Sequence, residues 1–250
     1  MLSIPFSYVS SLTNCNQYKE VKTETAIVLH KYNSYANPKI KKKTKFETSQ
    51  FPLLKDLEDN HGRFYNAYIN SMKIKQYERQ ADRLMKKLCR KHCLQYRQHK
   101  SLLYKKRGFV MEKSLIAKFE CQEKVCVSPC EQITRYCVHG EYELKKKLSV
   151  GCYRLIGKAD GWYGDTVIEC KCRRNGFRSF FFEKIQLALY VLGYGKTNGK
   201  LIEMFEGKIR VYNMGQHEAM KIFHVVKKPL DEWVRVNKKN IQPVEDSPKD

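Results

Sequence analysis

Residues 153–172 read YRLIGKADGWYGDTVIECKC, two runs with the residue preferences of β-strands on either side of a Gly-Asp pair at 164–165. A Gly-Asp pair between two such runs is typical of a two-residue hairpin loop. A loop of that length determines the pairing register, which would place Asp160 opposite Glu169. The stretch therefore predicts an antiparallel hairpin that brings two carboxylates together.

The two carboxylates and a nearby lysine indicate metal-dependent chemistry. Residues opposite each other in an antiparallel pair have Cβ atoms about 4.5–5.5 Å apart, and like charges at that distance repel unless a cation lies between them. Lys171 follows Glu169 by two residues, so the strand pleat places its ammonium on the same face. Such a set suits Mg²⁺, or Mn²⁺ as the alternative, acting on a phosphodiester. A solvated face of a charged strand is the other interpretation of the same pattern.

The charge balance indicates an anionic partner. The chain of 250 residues carries 48 Lys and Arg against 26 Asp and Glu, a formal net charge of +22. Such an excess favours nucleic acid as the partner. A membrane is the weaker alternative, because the sequence has no long apolar run and no clear basic amphipathic anchor.

The ten cysteines are spread through a chain whose N-terminus lacks the features of a secretory signal. This pattern predicts reduced thiols and an intracellular location, in the nucleus or cytoplasm, rather than secretion. The cysteine spacings do not match paired C-x-x-C knuckles, so a structural metal at the cysteines is a minor alternative.

Composition and periodicity divide the chain into four parts. Residues 1–60 are predicted to be a partly irregular N-terminal extension. Its basic run at 39–45 is interpreted as a solvated linker, with a nuclear import signal or a phosphate-contacting arm as the alternative. Residues 61–104 are predicted to be a basic helical region packed on a core of residues 105–240, and residues 241–250 a polar tail.

The basic helical region has an apolar stripe on one face and many cations on the other. The stripe comprises Tyr77, Ala81, Leu84, Met85, Leu88 and Tyr96. Thirteen Lys or Arg lie between Lys73 and Arg107, against two acidic residues. The predicted contacts with a nucleic-acid backbone include Lys86, Lys87 and Arg90, which would make binding steeply salt-dependent.

Two later segments supply further polar groups. Gly108 is predicted to open a helix with Glu112 near its first turn, where the helix dipole favours a carboxylate. Residues 180–195 are predicted to form a helix with Gln186 and Tyr190 one turn apart on one side. A polar pair on an apolar helix needs partners, which the carboxylate face of the hairpin would supply.

The remaining sequence predicts a second hairpin. KLIEMF at 200–205 and KIRVYN at 208–213 would pair across Glu206-Gly207, followed by a short helix around Trp233.

The order of these segments resembles the PD-(D/E)XK nuclease superfamily, in particular the branch of lambda exonuclease, YqaJ viral recombinase and viral alkaline nuclease, with a RecB-like helix. The resemblance covers residues 105–212. Its motifs are Arg107-Gly108-x-x-x-Glu112, Gly157-x-x-Asp160-Gly161, Val167-Ile168-Glu169-Cys170-Lys171-Cys172 and Gln186-x-x-x-Tyr190. The chain departs from the family at Ala159, where a proline is usual, and at Arg173-Arg174, where the family often turns.

The resemblance implies an α/β (α+β) fold with a restriction-endonuclease-like core, a central mixed β-sheet flanked by α-helices. It implies Asp160 and Glu169 as metal ligands, together with the backbone carbonyl of Cys170. Glu112 would complete the carboxylate or water shell of the cation. Lys171 would orient or activate the attacking water and stabilise the charge of the transition state.

The resemblance also assigns supporting roles. Gln186 would orient the site, with Tyr190 in support. Arg107 and the basic loop residues Arg173 and Arg174 are predicted to contact nucleic acid. A ring-like homo-oligomer is one option for the assembly.

Together these observations predict an Mg²⁺-dependent nuclease, in particular a 5′-to-3′ DNA exonuclease of the recombination or alkaline nuclease kind found in viruses. An endonuclease of the same fold, acting on DNA or RNA, is one alternative. A catalytically inactive nucleic-acid-binding module is the other.

Overall fold

The computed structural model describes residues 3–16, 19–22, 25, 52–92, 96–130, 134–140 and 151–237, so the basic run at 39–45 and the tail at 241–250 lie outside it. The described strands are β1 Ser3–Pro5, β2 Ser128–Pro129, β3 Thr134–Gly140, β4 Gly151–Gly157, β5 Gly161–Tyr163, β6 Thr166–Cys172, β7 Asn198–Phe205 and β8 Lys208–Gly215. The described helices are α1 Phe6–Leu12, α2 Pro52–Asn60, α3 Gly62–Asn70, α4 Lys75–Lys91, α5 Tyr96–Glu123, α6 Phe181–Gly193 and α7 Gln216–Asn237. Within these residues, no helix has the length and apolar character needed to cross a membrane.

The central hairpin has the register that its loop length predicts. β5 and β6 are antiparallel, with Trp162 opposite Val167. Gly164 has a φ of 50°, a left-handed conformation that a residue without a Cβ adopts at little steric cost. The predicted hairpin is therefore confirmed.

The hairpin lies within a five-stranded mixed sheet of order β2-β5-β6-β7-β8. β6 and β7 are parallel and α6 connects them, whereas the other neighbours are antiparallel. The loop between β7 and β8 is Glu206-Gly207, and both residues have a positive φ, as a two-residue hairpin loop of the mirror-image type requires. The predicted mixed sheet with flanking helices and the second hairpin are confirmed.

A second sheet of three strands has the order β1-β4-β3, with β1 parallel to β4. Ile4, Phe6 and Val9, from β1 and α1, are buried in the main core together with residues of α6 and α7. The beginning of the chain, which the sequence pattern assigned to an extension, thus contributes to the main core. α7, expected as a short helix around Trp233, is 22 residues long.

Helices α2 to α4 and the first half of α5 enclose a separate apolar cluster. Ala81, Met85 and Leu88 of the predicted stripe are buried in it. The predicted helical region is not continuous, because a break at 71–74 separates α3 from α4. The hydrophobic face of this basic region was therefore predicted correctly, but its division into helices was not.

α5 is one helix of 28 residues that begins at Tyr96, so the predicted helix start at Gly108 is wrong. A mid-helix glycine costs only about 1 kcal/mol relative to alanine. Burial of the apolar side chains of Leu103, Met111, Leu115 and Phe119 offsets this cost. Glu112 therefore lies in the middle of the helix, and the dipole of a helix start does not act on it.

The second half of α5 packs against β6 and β7. Met111, Leu115 and Phe119 share a buried cluster with Ile168 and Ile202. α5 thus joins the helical region to the mixed sheet, and it carries Glu112 to the side of β6 that bears the hairpin carboxylates.

Candidate active site

Asp160 and Glu169 are neighbours at one end of the central hairpin. The Asp160 backbone N–H donates to the carbonyl of Ile168 (3.1 Å), the residue that pairs with Gly161, so Asp160 lies just before β5 and outside its regular pairing with β6. The Asp160 Oδ2 accepts a hydrogen bond from the Cys170 backbone N–H (2.6 Å). The orientation of this carboxylate is therefore set by the strand that carries Glu169.

Lys171 forms an ion pair with Glu169, as the alternation of a strand predicts. The Lys171 Nζ contacts the Glu169 Oε1, and Glu169 itself is only 3% exposed. Burial disfavours the ammonium, but the charges of Glu169 and Asp160 outweigh that effect and raise the pKa of Lys171. Lys171 is therefore a cation at neutral pH.

The three carboxyl groups of this site are all harder to ionise than in water. Burial raises the pKa of Asp160 to about 6, and repulsion from Glu112 adds to the increase. Burial raises the pKa of Glu169 to about 7, because the opposing effect of Lys171 is smaller. Burial and the charge of Glu169 also raise the pKa of Glu112. Burial is the largest cause for all three groups, and a cation close to them would favour their ionised forms.

Asp160 and Glu169 offer the oxygen donors that hard divalent cations such as Mg²⁺ prefer. In the part of the chain that the structure describes, no group of three or more His, Cys, Asp or Glu side chains is arranged to hold a metal ion. Mg²⁺ is usually bound through one or two carboxylates and retains several waters. Asp160 and Glu169 supply that number of carboxylates, and the excess negative charge around them favours a divalent cation.

Gln186 and Tyr190 lie together on α6, as their spacing predicts. The Gln186 Nε2 donates to the Tyr190 hydroxyl (3.0 Å), which donates to the Lys158 carbonyl (2.9 Å). A Cβ at Gly157 would clash with the Phe6 ring and would lie 2.9 Å from the Tyr190 ring, so the close approach of both rings requires a glycine. The pair therefore holds the backbone just before Asp160.

The predicted nucleic-acid contacts fall into two groups. Lys86, Lys87 and Arg90 are exposed on α4, and the Arg174 side chain is 40% exposed. These cations are accessible to a polyanion.

Arg173 is largely buried instead, with its side chain 12% exposed. Its Nη1 and Nη2 donate to the two oxygens of Glu183 (2.7 and 2.5 Å), and its Nε donates to Glu203 (2.5 Å). Both carboxylates are buried. The predicted contact of Arg173 with nucleic acid is not supported by this placement, because its guanidinium ties the loop after β6 to α6 and β7.

Arg107 is also interior, at 4% exposure. Its Nη2 donates to the Ser71 carbonyl (2.7 Å), whereas its Nε has no hydrogen-bond partner among the described residues. The buried Tyr68 hydroxyl has none there either. The Tyr68 and Tyr104 rings are 6.5 Å apart, and the Arg174 guanidinium lies 4.7 Å from the centre of the Tyr104 ring. We call these four residues, Tyr68, Tyr104, Arg107 and Arg174, the Arg107 cluster.

The Arg107 cluster adjoins the carboxylate site. Burial raises the pKa of Cys172 to about 11, and the charges of Arg107, Glu112 and Lys171 all act on it, so these groups surround one position on β6. Arg107 forms no ion pair with the described residues, and a buried charge without such a partner is costly. The sequence did not indicate the tyrosines of this cluster, because no local pattern relates α3 to α5.

The comparisons with known proteins give a structural likeness only. No family model matches this chain, and no curated protein matches it. The chain is similar to the alkaline exonuclease LHK-Exo from Laribacter hongkongensis, with a TM-score of 0.49, 9% identity, and coverage of 95% of this chain and 91% of that chain. A structure of LHK-Exo in complex with dAMP has a TM-score of 0.47 and 10% identity over 95% and 92% of the two chains. A phage related exonuclease from Haemophilus somnus 129PT has a TM-score of 0.41 and 9% identity over 96% and 97%.

These structures are of exonucleases, the kind of enzyme to which the sequence resemblance points. With TM-scores of 0.41 to 0.49 and identities of 9–10%, the likeness carries no conclusion about activity. The function proposed for this chain therefore rests on the geometry of its own site.

Proposed function

We propose that this chain is a metal-dependent nuclease that hydrolyses phosphodiester bonds in DNA, with Mg²⁺ as the cofactor and Mn²⁺ as a substitute. The observation that carries the proposal is the convergence of Asp160, Glu169 and Lys171 on one face of a hairpin, beside Glu112 from α5. The net charge of +22 supports a polyanionic substrate.

We assign a role in phosphodiester hydrolysis to each polar group of the site. Asp160 and Glu169, with the Cys170 carbonyl and with Glu112 through water, would hold the cation. The chemistry that Mg²⁺ would supply there is a lower pKa of a coordinated water and neutralisation of charge on the scissile phosphate. The Lys171 ammonium orients the attacking water and stabilises the negative charge that develops on the phosphoryl oxygens.

Gln186, on α6, is the proposed group that orients the substrate in the site. Its hydrogen bond to Tyr190, and that of Tyr190 to the Lys158 carbonyl, couple its position to the backbone that bears Asp160. A group held in this way positions a substrate with little further loss of entropy.

Within this activity we infer a 5′-to-3′ exonuclease that starts at a phosphorylated end. Arg107 precedes Glu112 by five residues on α5, which is roughly 7.5 Å along the axis at about 1.5 Å per residue. A terminal phosphate carries a charge of about −1.5 to −2. It therefore suits the Arg107 cluster better than an internal phosphodiester does. Arg107 is buried and adds positive charge to the cluster, and the Arg174 side chain, which is 40% exposed, would make the contact with the phosphate.

The exposed cations of α4 would hold the rest of the substrate. Lys86, Lys87 and Arg90 project from a helix whose other face is buried, so they form a rigid basic surface. Contacts of this type go to phosphates and carry no sequence information.

The test is cleavage of three forms of one DNA: linear with 5′-phosphates, linear with 5′-hydroxyls, and a covalently closed circle. We expect Mg²⁺-dependent degradation of the phosphorylated linear form, slower degradation of the hydroxyl form, an intact circle, and no reaction in EDTA. Cutting of the circle would replace the exonuclease with an endonuclease. If no form of the DNA is cut, an RNA is tested next. Cleavage of RNA alone would make RNA the substrate, and no cleavage of either nucleic acid would favour a binding module without nuclease activity.

Two variants test the site itself. Glu169→Gln removes a charge needed for the cation but few contacts with DNA, so it should abolish cleavage and retain DNA binding. Glu123→Gln is the matched control, because Glu123 pairs with Lys200 (3.1 Å) at an exposed position on α5. Normal cleavage by Glu169→Gln would refute the assignment of the site.

A further inference from the structure

Phe109 is 62% exposed in the middle of the long helix α5. A single exposed phenylalanine is ordinary on a protein surface. This one precedes Glu112 by three residues, and side chains with that spacing are neighbours on a helix surface. An apolar ring therefore lies in solvent next to Glu112 on the surface of α5.

Two lysines flank the Phe109 ring. Lys105 and Lys113 are four residues before and four residues after it, so the three side chains form a row along one face of α5. Both lysines are exposed. The row thus places an aromatic surface between two cations, next to Glu112.

An aromatic ring between cations matches the chemistry of an unpaired nucleic-acid strand. Bases of such a strand stack on aromatic side chains while lysines contact the phosphates. Inside a duplex the bases already stack on one another, and exposing one requires unpairing. The chemistry of the row therefore selects a single strand rather than the interior of a duplex.

We propose that Phe109, with Lys105 and Lys113, forms a stacking site for an unpaired nucleotide beside the scissile phosphate. This inference rests on the proposed nuclease function and refines it: the strand to be cut lies single-stranded at the carboxylates. Ends that carry a short single-stranded 5′ overhang are then better substrates than blunt ends.

The first test measures binding without catalysis. A short single-stranded DNA with 2-aminopurine near its phosphorylated 5′ end is titrated with the full chain in EDTA, where stacking on an aromatic ring quenches the fluorescence. The wild type should quench it. Phe109→Ala should lose the quenching and bind about 5- to 150-fold more weakly, the range for loss of one base stack, whereas Phe109→Trp should retain both.

Val225→Ala is the matched control, because Val225 is a 59% exposed apolar residue on the distant helix α7. It should quench and bind as the wild type does. Since Phe109 is also largely exposed, Phe109→Ala should keep the thermal unfolding midpoint of the wild type. Unchanged quenching and affinity in Phe109→Ala would overturn the stacking site.

The second test compares cleavage of blunt and overhanging ends. The wild type should cut the duplex with the 5′ overhang faster than the blunt duplex. Phe109→Ala should cut both duplexes at similar rates. Equal rates for both ends in the wild type would overturn the inference while the nuclease function stands. Absence of any metal-dependent cleavage in the wild type would instead refute the proposed function.

Discussion

Replacing Glu169 by glutamine should make the metal-free protein more stable at alkaline pH, although the same change should remove activity. Burial raises the pKa of Glu169 from 4.5 to about 7. The ionised carboxylate therefore destabilises the folded chain relative to its neutral form, and glutamine keeps the shape without the charge. A gain in stability from the loss of an active-site group is expected where a site is built for function.

The magnitude follows from the difference between the two pKa values. At 1.36 kcal/mol for each pKa unit, a rise from 4.5 to about 7 corresponds to about 3 kcal/mol in the free energy of unfolding. The folded chain binds this proton more tightly than the unfolded chain does. The contribution to stability is thus complete below pH 4.5 and is lost as the pH rises through about 7.

Urea unfolding in EDTA across this range of pH measures the effect. Glu169→Gln should exceed the wild type by up to about 3 kcal/mol near pH 8, and the difference should vanish toward pH 4.5. Asp165→Asn is the control of opposite sign. Hydrogen bonds from the Thr197 hydroxyl and N–H lower the pKa of Asp165, so its loss should destabilise the chain at neutral and higher pH.

An unchanged or lower stability of Glu169→Gln near pH 8 would refute the reasoning. It would mean that burial does not hold Glu169 in its neutral form in the folded chain. A difference that persists undiminished at pH 4.5 would likewise exclude ionisation of Glu169 as its cause.

Two further predictions concern the basic surface and the core. Replacing Lys86, Lys87 and Arg90 by glutamine should weaken binding to every DNA sequence and reduce the slope of log K against log[salt] by up to about 2.7, at about 0.9 for each phosphate contact. Fluorescence anisotropy over a salt series measures the slope, and an unchanged slope would exclude α4 as a phosphate-binding surface. Leu115→Ala should lower the free energy of unfolding by about 2–5 kcal/mol, because Leu115 is fully buried between α5 and the sheet. Urea unfolding measures this free energy. Cys121→Ser, at an exposed position on the same helix, is the control and should change the free energy of unfolding little.

The central hairpin could be predicted from sequence because its rules are local. A two-residue loop determines which residues pair, and the strand pleat determines which side chains share a face. Those two rules suffice to place Asp160 near Glu169 and Lys171 beside it. The Gln186 and Tyr190 pair follows in the same way from the helical repeat.

The continuity of α5 could not be predicted from sequence. A glycine weakens a helix by an amount that packing of two buried residues easily offsets, and the packing partners are strands β6 and β7. The burial of Arg173 has a similar origin. Its partner Glu203 lies 30 residues away on β7, and only the parallel pairing of β6 with β7 brings the two together.

The sequence by itself thus determined the hairpin, its register, the charged residues on its face and the basic surface of α4. The tertiary structure alone decided that Glu112 approaches the same carboxylates, that their pKa values rise, and that Arg107 lies buried beside Tyr68. The physical reason is that burial and charge act through space. They depend on distances between elements remote in the chain, whereas patterns in the sequence report only on neighbours along it.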